Sequence, residues 1–334
     1  MKNAVASADL TPPFPLPGRD DMDSAARFLA PLVPPTPQYV WPQVAAAFGA
    51  EVWLKHENHS PIGAFKARSA AVYFQKLMER EPGVRGVITA TRGNHGQAVG
   101  LAARRFKLPA TVYVPHGNSL EKNAAMRALG VALVEHGHDF QESREEATRI
   151  AGRDGLHMVP TFHPDIVLGV STYWAELFRA APDLDVLYVP IGQGSGVCAA
   201  AAARNAWSPR TKIVGVVSAH APAYAKSFAA RRLIEAPVET RLGDGMACRK
   251  PDEEALALVL ANVERIAEVT DTELAEAMRN LFSMTHNVAE GAGAAAFAAA
   301  WRERESLAGR RVAIALTGGN VDSQVFADVL AGRY

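Results

Sequence analysis

From Lys66 onward the chain alternates short apolar runs with longer segments whose apolar residues recur every three or four positions. Period-2 or continuous apolar runs bounded by turn residues mark strands, and the 3.6-residue period marks helices. On that basis strands are predicted at 87–90, 110–114, 131–135, 186–189, 213–217 and 312–316. Helices are predicted over 67–81, 94–106, 120–129, 140–151, 175–180, 197–207, 252–262, 271–282 and 290–304. Parallel strands need crossovers and are buried on both faces, so this order predicts an α/β fold with mostly parallel sheets flanked by helices. The alanine runs at 199–203 and 294–300 predict helices packed closely on a sheet. A break falls between Pro160 and Pro164. The first forty or so residues, with Pro12-Pro13, Pro34-Pro35 and Pro37, read as an extended arm.

Charge and composition narrow the classes. The 334 residues carry 35 basic and 35 acidic side chains, a formal charge of zero. Neither the basic stripe of a nucleic-acid binder nor an acidic tail is present. Hydrophobic content of 49% is that of an ordinary soluble globular protein. Two cysteines, Cys198 and Cys248, make no disulfide framework or metal cluster. No apolar run approaches the ~20 residues of a membrane helix, and the N-terminus lacks the apolar stretch of a signal peptide. A cytoplasmic protein with neither membrane nor nucleic-acid partners is expected.

Four segments carry candidate chemistry. Gly192-Gln193-Gly194-Ser195-Gly196 follows an apolar strand and opens a helix, where backbone N–H groups and the helix dipole favour an anion. Such a loop is also commonly structural, and a dinucleotide site is its competitor. That site wants an acid roughly 20 residues on to hold a ribose, whereas the next strand ends in Val216-Val217-Ser218. NAD is disfavoured. Thr91-Arg92-Gly93-Asn94-His95-Gly96-Gln97 lies at another strand–helix junction, with Gly93 for a sharp turn and Asn94 as a plain cap or a ligand contact. Lys66 follows Gly63-Ala64-Phe65 and precedes Ala67; apolar neighbours would desolvate its amine and free it for imine formation. Read alone, it is more readily a surface lysine opening an amphipathic helix. Thr317, in Leu316-Thr317-Gly318-Gly319-Asn320, offers a hydroxyl as a neutral partner for a heteroaromatic nitrogen. His95, His163, His220 and His286 have no metal-ligand spacing, and no HExxH, Walker or Gly-x-Ser-x-Gly motif occurs. No metal site is expected.

A lysine, an amide-rich loop, a glycine loop and a hydroxyl, in this order, point to an aldehyde cofactor held as a Schiff base, with its phosphate on main-chain donors. That cofactor is pyridoxal 5'-phosphate. From about Trp53 to Asp322 the chain resembles the fold-type II pyridoxal-phosphate family of serine/threonine dehydratases and serine racemases. The resemblance implies two open, mostly parallel twisted sheets flanked by helices, and a homodimer. It implies a large cofactor-binding domain from 1–85 and 161–334, and a small substrate-closing domain from 86–160. Lys66 would carry the cofactor with Phe65 packed near it, and Asn94 would contact the phenolic oxygen. Gly192, Gln193, Gly194, Ser195 and Gly196 would cradle the phosphate, with Thr317 facing the pyridine nitrogen. Thr91, Arg92, Gly93 and His95 would surround the substrate carboxylate.

The implied activity is α,β-elimination from a β-hydroxy-L-amino acid of the 3-phenylserine, threonine or serine type, giving a 2-oxo acid and ammonia. Racemisation and β-replacement are the alternatives within the family; a non-catalytic amino-acid sensor is the alternative outside it. Arg92 stands where the family commonly has Ser or Ala, and the serine there is the racemases' second acid–base group, so arginine argues against racemisation. Gly215-Val216-Val217 lacks the cation-binding glutamate of some members, although Asp244 remains. The short stretch after Asp322 leaves no room for a regulatory module, so feedback inhibition by isoleucine is not expected. Arg92 together with Thr285-His286-Asn287-Val288-Ala289-Glu290 is most similar to phenylserine dehydratases. Phe65, His220, Tyr224 and Met246 are the expected pocket walls.

Overall fold

The computed structural model describes residues 11–334. Its strands are β1 (Gln38–Val40), β2 (Glu51–His56), β3 (Val87–Ala90), β4 (Ala110–Val114), β5 (Ala132–Glu135), β6 (His157–Met158), β7 (Val186–Pro190), β8 (Lys212–Ser218), β9 (Arg265–Val269) and β10 (Arg311–Leu316). They form a six-stranded sheet in the order β1-β2-β10-β7-β8-β9 and a four-stranded sheet in the order β5-β4-β3-β6. Only β1, at an edge, runs antiparallel to its neighbour. The expected α/β architecture of two mostly parallel, helix-flanked sheets is what the chain adopts.

Helices cover both faces of the larger sheet. On one face the helix Gly291–Arg302 lays its buried alanines over Val186, Val312 and Ile314. On the other, the helices Pro164–Ala180 and Ser195–Trp207 pack against Leu187, Val189, Ala313 and Ala315. The alanine-rich faces of Gly291–Arg302 and Ser195–Trp207 let those two helices approach the sheet closely, while Pro164–Ala180 fills its share of the core with Tyr173, Trp174 and Phe178.

β10, the last strand, lies between β2 and β7, with Leu316 beside His56 and Ile314 beside Tyr188. Opposite ends of the sequence therefore meet inside one sheet. Ala64 bridges Gly318, the Phe65 N–H donates to the Thr317 carbonyl at 3.0 Å, and the Gly319 N–H donates to Gly63 at 2.9 Å. These backbone bonds position the start of the helix Lys66–Arg80, and hence Lys66 itself.

The N-terminal expectation is corrected from Arg19 onward. Arg19–Leu29 is a helix that buries Met22, Ala25 and Leu29 on one face, and Pro42–Phe48 is another. The prolines punctuate these elements instead of dissolving them; Pro42 occupies the first turn, where no intrahelical donor is needed. The same physics corrects the helix predicted at 175. It begins at Pro164, with the His163 ring accepting from the Asp165 N–H at 3.2 Å. The part of the proposed arm before residue 11 lies outside the described residues.

The helix Pro164–Ala180 touches the helix Lys66–Arg80 through Gly169, where an added Cβ would lie 2.5 Å from the Arg68 carbonyl oxygen. Gly169→Val is expected to lower unfolding free energy by at least about 2 kcal/mol through overpacking. Chemical denaturation of the cofactor-free protein measures it; an unchanged midpoint would show that the helices part freely.

Candidate active site

The loops leaving the carboxyl ends of β2, β3, β7 and β10 surround one pocket, the usual ligand position in open α/β sheets. Phe65, Lys66, Thr91, Arg92, Gly93, Asn94, His95, Gly192, Gln193, Gly194, Ser195, Gly196 and Thr317 all line it. Every site residue proposed from sequence is thus brought together. Of the expected walls, Phe65 and Met246 line the pocket, and His220 and Tyr224 do not. Tyr224 is buried behind the glycine loop, its hydroxyl donating to the Gln193 carbonyl at 3.2 Å. In the segment 285–290, only Glu290 reaches the pocket; Asn287 instead binds His59, with 2.7 Å between Oδ1 and the ring Nε2.

Lys66 Nζ donates to Ser195 Oγ at 3.0 Å and lies 4.8 Å from the Phe65 ring centre. Burial lowers its pKa to about 8, from an ordinary value of 10.5. Two residues on, Arg68 anchors the helix in a buried ionic network. It meets Glu57 at 3.0 Å and Glu176 at 2.7 Å, while Lys55 meets Glu176 at 2.5 Å. Neutral pairing satisfies these buried charges, and removing any one partner would leave an uncompensated ion.

The glycine loop is a set of unpaired donors. Among the described residues, no backbone N–H from Gly192 to Val197 has a hydrogen-bond partner. Gly194 sits at φ +99°, and a Cβ there would meet Ala255 at 2.5 Å; one at Gly192 would meet the Gly245 carbonyl at 2.4 Å. Only glycine fits this cradle, and orphan N–H groups at the start of a helix are a ready anion site. The N–H groups of Asn94, His95 and Gly96 are likewise unpaired within the described residues. Thr317, 6% exposed, keeps a hydroxyl with no recorded partner there. An anionic tail, a ring with a hydrogen-bonding nitrogen and an aldehyde therefore match the donor set, and these are the parts of pyridoxal phosphate.

Asn94 is held at both ends of its amide. Asn320 Nδ2 donates to the Ile62 carbonyl at 2.8 Å and to Asn94 Oδ1 at 2.8 Å, and Asn94 Nδ2 donates to Glu290 Oε1 at 2.5 Å. Glu290 in turn meets Lys122 Nζ at 2.9 Å, and the same ammonium meets Asp244 at 2.6 Å. Sequence reading missed Lys122 and gave Glu290 no role, and it saw Asp244 only as a remnant of a cation site. Lys122 looked like any polar residue on an amphipathic helix. Only the spacing of β4 from the larger sheet's loops, invisible in sequence, joins the three.

Two more pocket residues have distinctive surroundings. His95 is buried, and desolvation followed by the nearby Lys66 charge lowers its pKa to about 3, so the ring is neutral. Arg92 has no hydrogen bond or ion pair among the described residues, and its Nε is buried. It also borders an adjoining cavity lined by Arg144, Arg249 and Lys250.

The lowered pKa of Lys66 has a stability consequence. A lysine whose folded pKa lies below its unfolded value costs stability in full below about pH 8, and the cost vanishes as pH rises from there toward 10.5. Cofactor-free Lys66→Met is therefore expected to resist urea better than the cofactor-free parent at pH 7, with the gap closing by pH 10. A gap that is constant with pH would mean that Lys66 is not desolvated.

The pyridoxal-phosphate-dependent enzyme family matches residues 29–318. An L-threonine ammonia-lyase of Thermotoga maritima is 34% identical over 304 residues, covering 91% of this chain and 75% of that one. An L-threo-3-hydroxyaspartate ammonia-lyase of Saccharomyces cerevisiae is 33% identical, covering 85% of this chain and 87% of that one. Among solved structures, a pyridoxal 5'-phosphate-dependent aspartate racemase superposes with a TM-score of 0.87 at 26% identity, covering 94% of this chain and 98% of that chain. The processed form of threonine deaminase isoform 2 from Solanum lycopersicum superposes with a TM-score of 0.85 at 25% identity, covering 99% of both chains. With the match spanning most of the polypeptide and the donor set suited to the cofactor, the chain belongs to the pyridoxal-phosphate-dependent enzymes, in the branch that includes the threonine and hydroxyaspartate ammonia-lyases and the serine racemases.

Proposed function

We propose that the chain is an ammonia-lyase that expels the β-hydroxyl of a β-hydroxy-L-amino acid and releases a 2-oxo acid and ammonia. The observation that carries this reading is Lys66: an amine with pKa about 8, bound to Ser195, between two helix starts with unpaired N–H groups. When bound, the cofactor supplies an electron sink for charge at the α-carbon. Lys66 Nζ removes the α-proton and returns it to the departing β-hydroxyl, which leaves as water, while Ser195 Oγ keeps that nitrogen in place; a water then hydrolyses the released enamine to the 2-oxo acid and ammonia. The N–H groups of Asn94, His95 and Gly96 hold the substrate carboxylate, with Thr91 and Gly93 beside them. Those from Gly192 to Val197 would hold the phosphate, and the neutral Thr317 hydroxyl would serve the ring nitrogen. A neutral partner stabilises carbanion charge less than a carboxylate would, which suits prompt loss of a β-substituent.

For the side chain we favour phenyl, as in 3-phenylserine, because Phe65, Phe140 and Met246 give the pocket apolar walls. Unpaired Arg92 favours a second reading, an anionic β-substituent like that in the name of the hydroxyaspartate ammonia-lyase relatives. Racemisation is disfavoured, since a guanidinium does not serve as a second base at neutral pH. We take residues 86–160 as the unit that closes over the substrate, and a cytoplasmic homodimer as the working form.

A panel of L-serine, L-threonine, 3-phenylserine and 3-hydroxyaspartate assayed for oxo-acid release tests the proposal. Phenylserine is expected to exceed serine in kcat/KM by at least about tenfold, a difference within reach of an apolar pocket. A hydroxyaspartate preference that collapses in Arg92→Leu would assign Arg92 to the side chain instead. D-serine formed from L-serine without pyruvate would contradict the lyase.

A further inference from the structure

The triad of buried Lys122 and Glu290 with half-buried Asp244 has no part in the elimination as described, yet it ends at the residue assigned to the cofactor's ring oxygen. Lys122 is 6% exposed and sits on the helix Leu120–Ala128, which follows β4 of the four-stranded sheet. Its partners come from the other side of the pocket: Asp244 from the segment between β8 and β9, and Glu290 from the residue just before the helix Gly291–Arg302. The lysine stem runs directly under the asparagine loop, since a Cβ on Gly93 would lie 2.5 Å from Lys122 Cδ. Glu290 is wedged in equally tightly: a Cβ on Gly318 would lie 2.3 Å from its Oε1.

The amide orientations follow from a backbone anchor. The Ile62 carbonyl can only accept, so the Asn320 group facing it is the NH₂, which also donates to Asn94. Asn94 must then present its oxygen to Asn320 and its NH₂ to Glu290. One N–H of that NH₂ is taken by Glu290, and the other is left for a ligand. The arrangement requires Glu290 to accept. Burial raises the Glu290 pKa and Asp244 pushes the same way, while the Lys122 ammonium opposes both. On the lysine, burial disfavours the charge, but Glu290 and Asp244 outweigh it and raise its pKa.

We propose that Lys122 is a positioning residue for the bound cofactor: its ammonium keeps Glu290 a carboxylate, Glu290 holds one N–H of Asn94, and the second N–H is thereby aimed at the cofactor's ring oxygen. This rests on the reading of Asn94 given above. Without Lys122, a protonated Glu290 offers an O–H where Asn94 needs an acceptor, and the amide is released. The proton shared between the ring oxygen and Lys66 Nζ then moves toward the oxygen, which shifts the cofactor's absorbance from the visible to the near ultraviolet.

The test is the visible to near-ultraviolet absorbance ratio of the substrate-free holoenzyme in the parent, in Lys122→Met, and in Lys122→Met/Glu290→Gln. The single variant is expected to lower the ratio at least threefold. The double variant restores it to within twofold of the parent, because a glutamine oxygen accepts from Asn94 without a cation. An unchanged ratio in the single variant overturns the proposal. A double variant no better than the single also overturns it, since that outcome describes Lys122 as a mere strut. If Lys122→Met does not fold, Lys122→Gln, which also removes the cation, takes its place in both comparisons. A parent chain that takes up no pyridoxal phosphate would instead refute the reading of the site, which is a separate failure.

Discussion

Most of the donors lining the pocket have no acidic partner. The Lys66 amine, the N–H groups from Gly192 to Val197, those of Asn94, His95 and Gly96, and the Arg92 guanidinium converge with no protein carboxylate paired to any of them among the described residues. Two helix starts add positive potential to the same space. Burying the Lys66 amine among them is costly in the empty protein, and desolvation lowers its pKa accordingly. An anionic ligand relieves it. The surplus of unpaired donors suits an anionic ligand, and burial makes an uncharged amine accessible near pH 8.

The fold exists to hold that imbalance in place. Insertion of β10 between β2 and β7 joins the loop bearing Lys66 to the loop bearing Thr317 through backbone bonds, leaving side chains free for the ligand. Glycines at 192, 194, 293 and 318 stand where any Cβ would collide, with main chain at 192 and 293 and with the Ala255 and Glu290 side chains at 194 and 318, so the pocket floor is closely packed. The acids in and around the pocket are paired, Glu290 and Asp244 at its lining included. Glu57 and Glu176 are matched by Arg68 and Lys55, and Glu290 and Asp244 by Lys122. Each acid is neutralised locally, so none competes with the ligand for the donors.

Much of this was legible in the sequence because its signals are local. A glycine loop after an apolar strand, an amide-rich strand–helix junction and a lysine among apolar residues each declare themselves within about seven residues, and their order along the chain identifies the family. The helix Asn94–Phe106 and strand β3 have the predicted bounds for the same reason. Elements whose stability comes from distant partners were not legible. β2 carries Lys55, whose charge is satisfied only by Glu176 and the Thr36 carbonyl far along the chain, so its sequence does not read as a buried strand. The helix Arg19–Leu29 was hidden by flanking prolines, and Tyr224 was misplaced because its burial behind Gln193 depends on tertiary packing. Lys122 and Glu290 meet only through the approach of the two sheets, for which no local pattern exists.

The central claim is that one amine, Lys66, carries the cofactor. Borohydride reduction of the holoenzyme followed by mass mapping of its peptides examines that claim without reference to any substrate. The account predicts a single phosphopyridoxyl mass increment, located on the peptide containing Lys66. An increment on another lysine, such as Lys122, or none at all in protein that retains its colour, would contradict it.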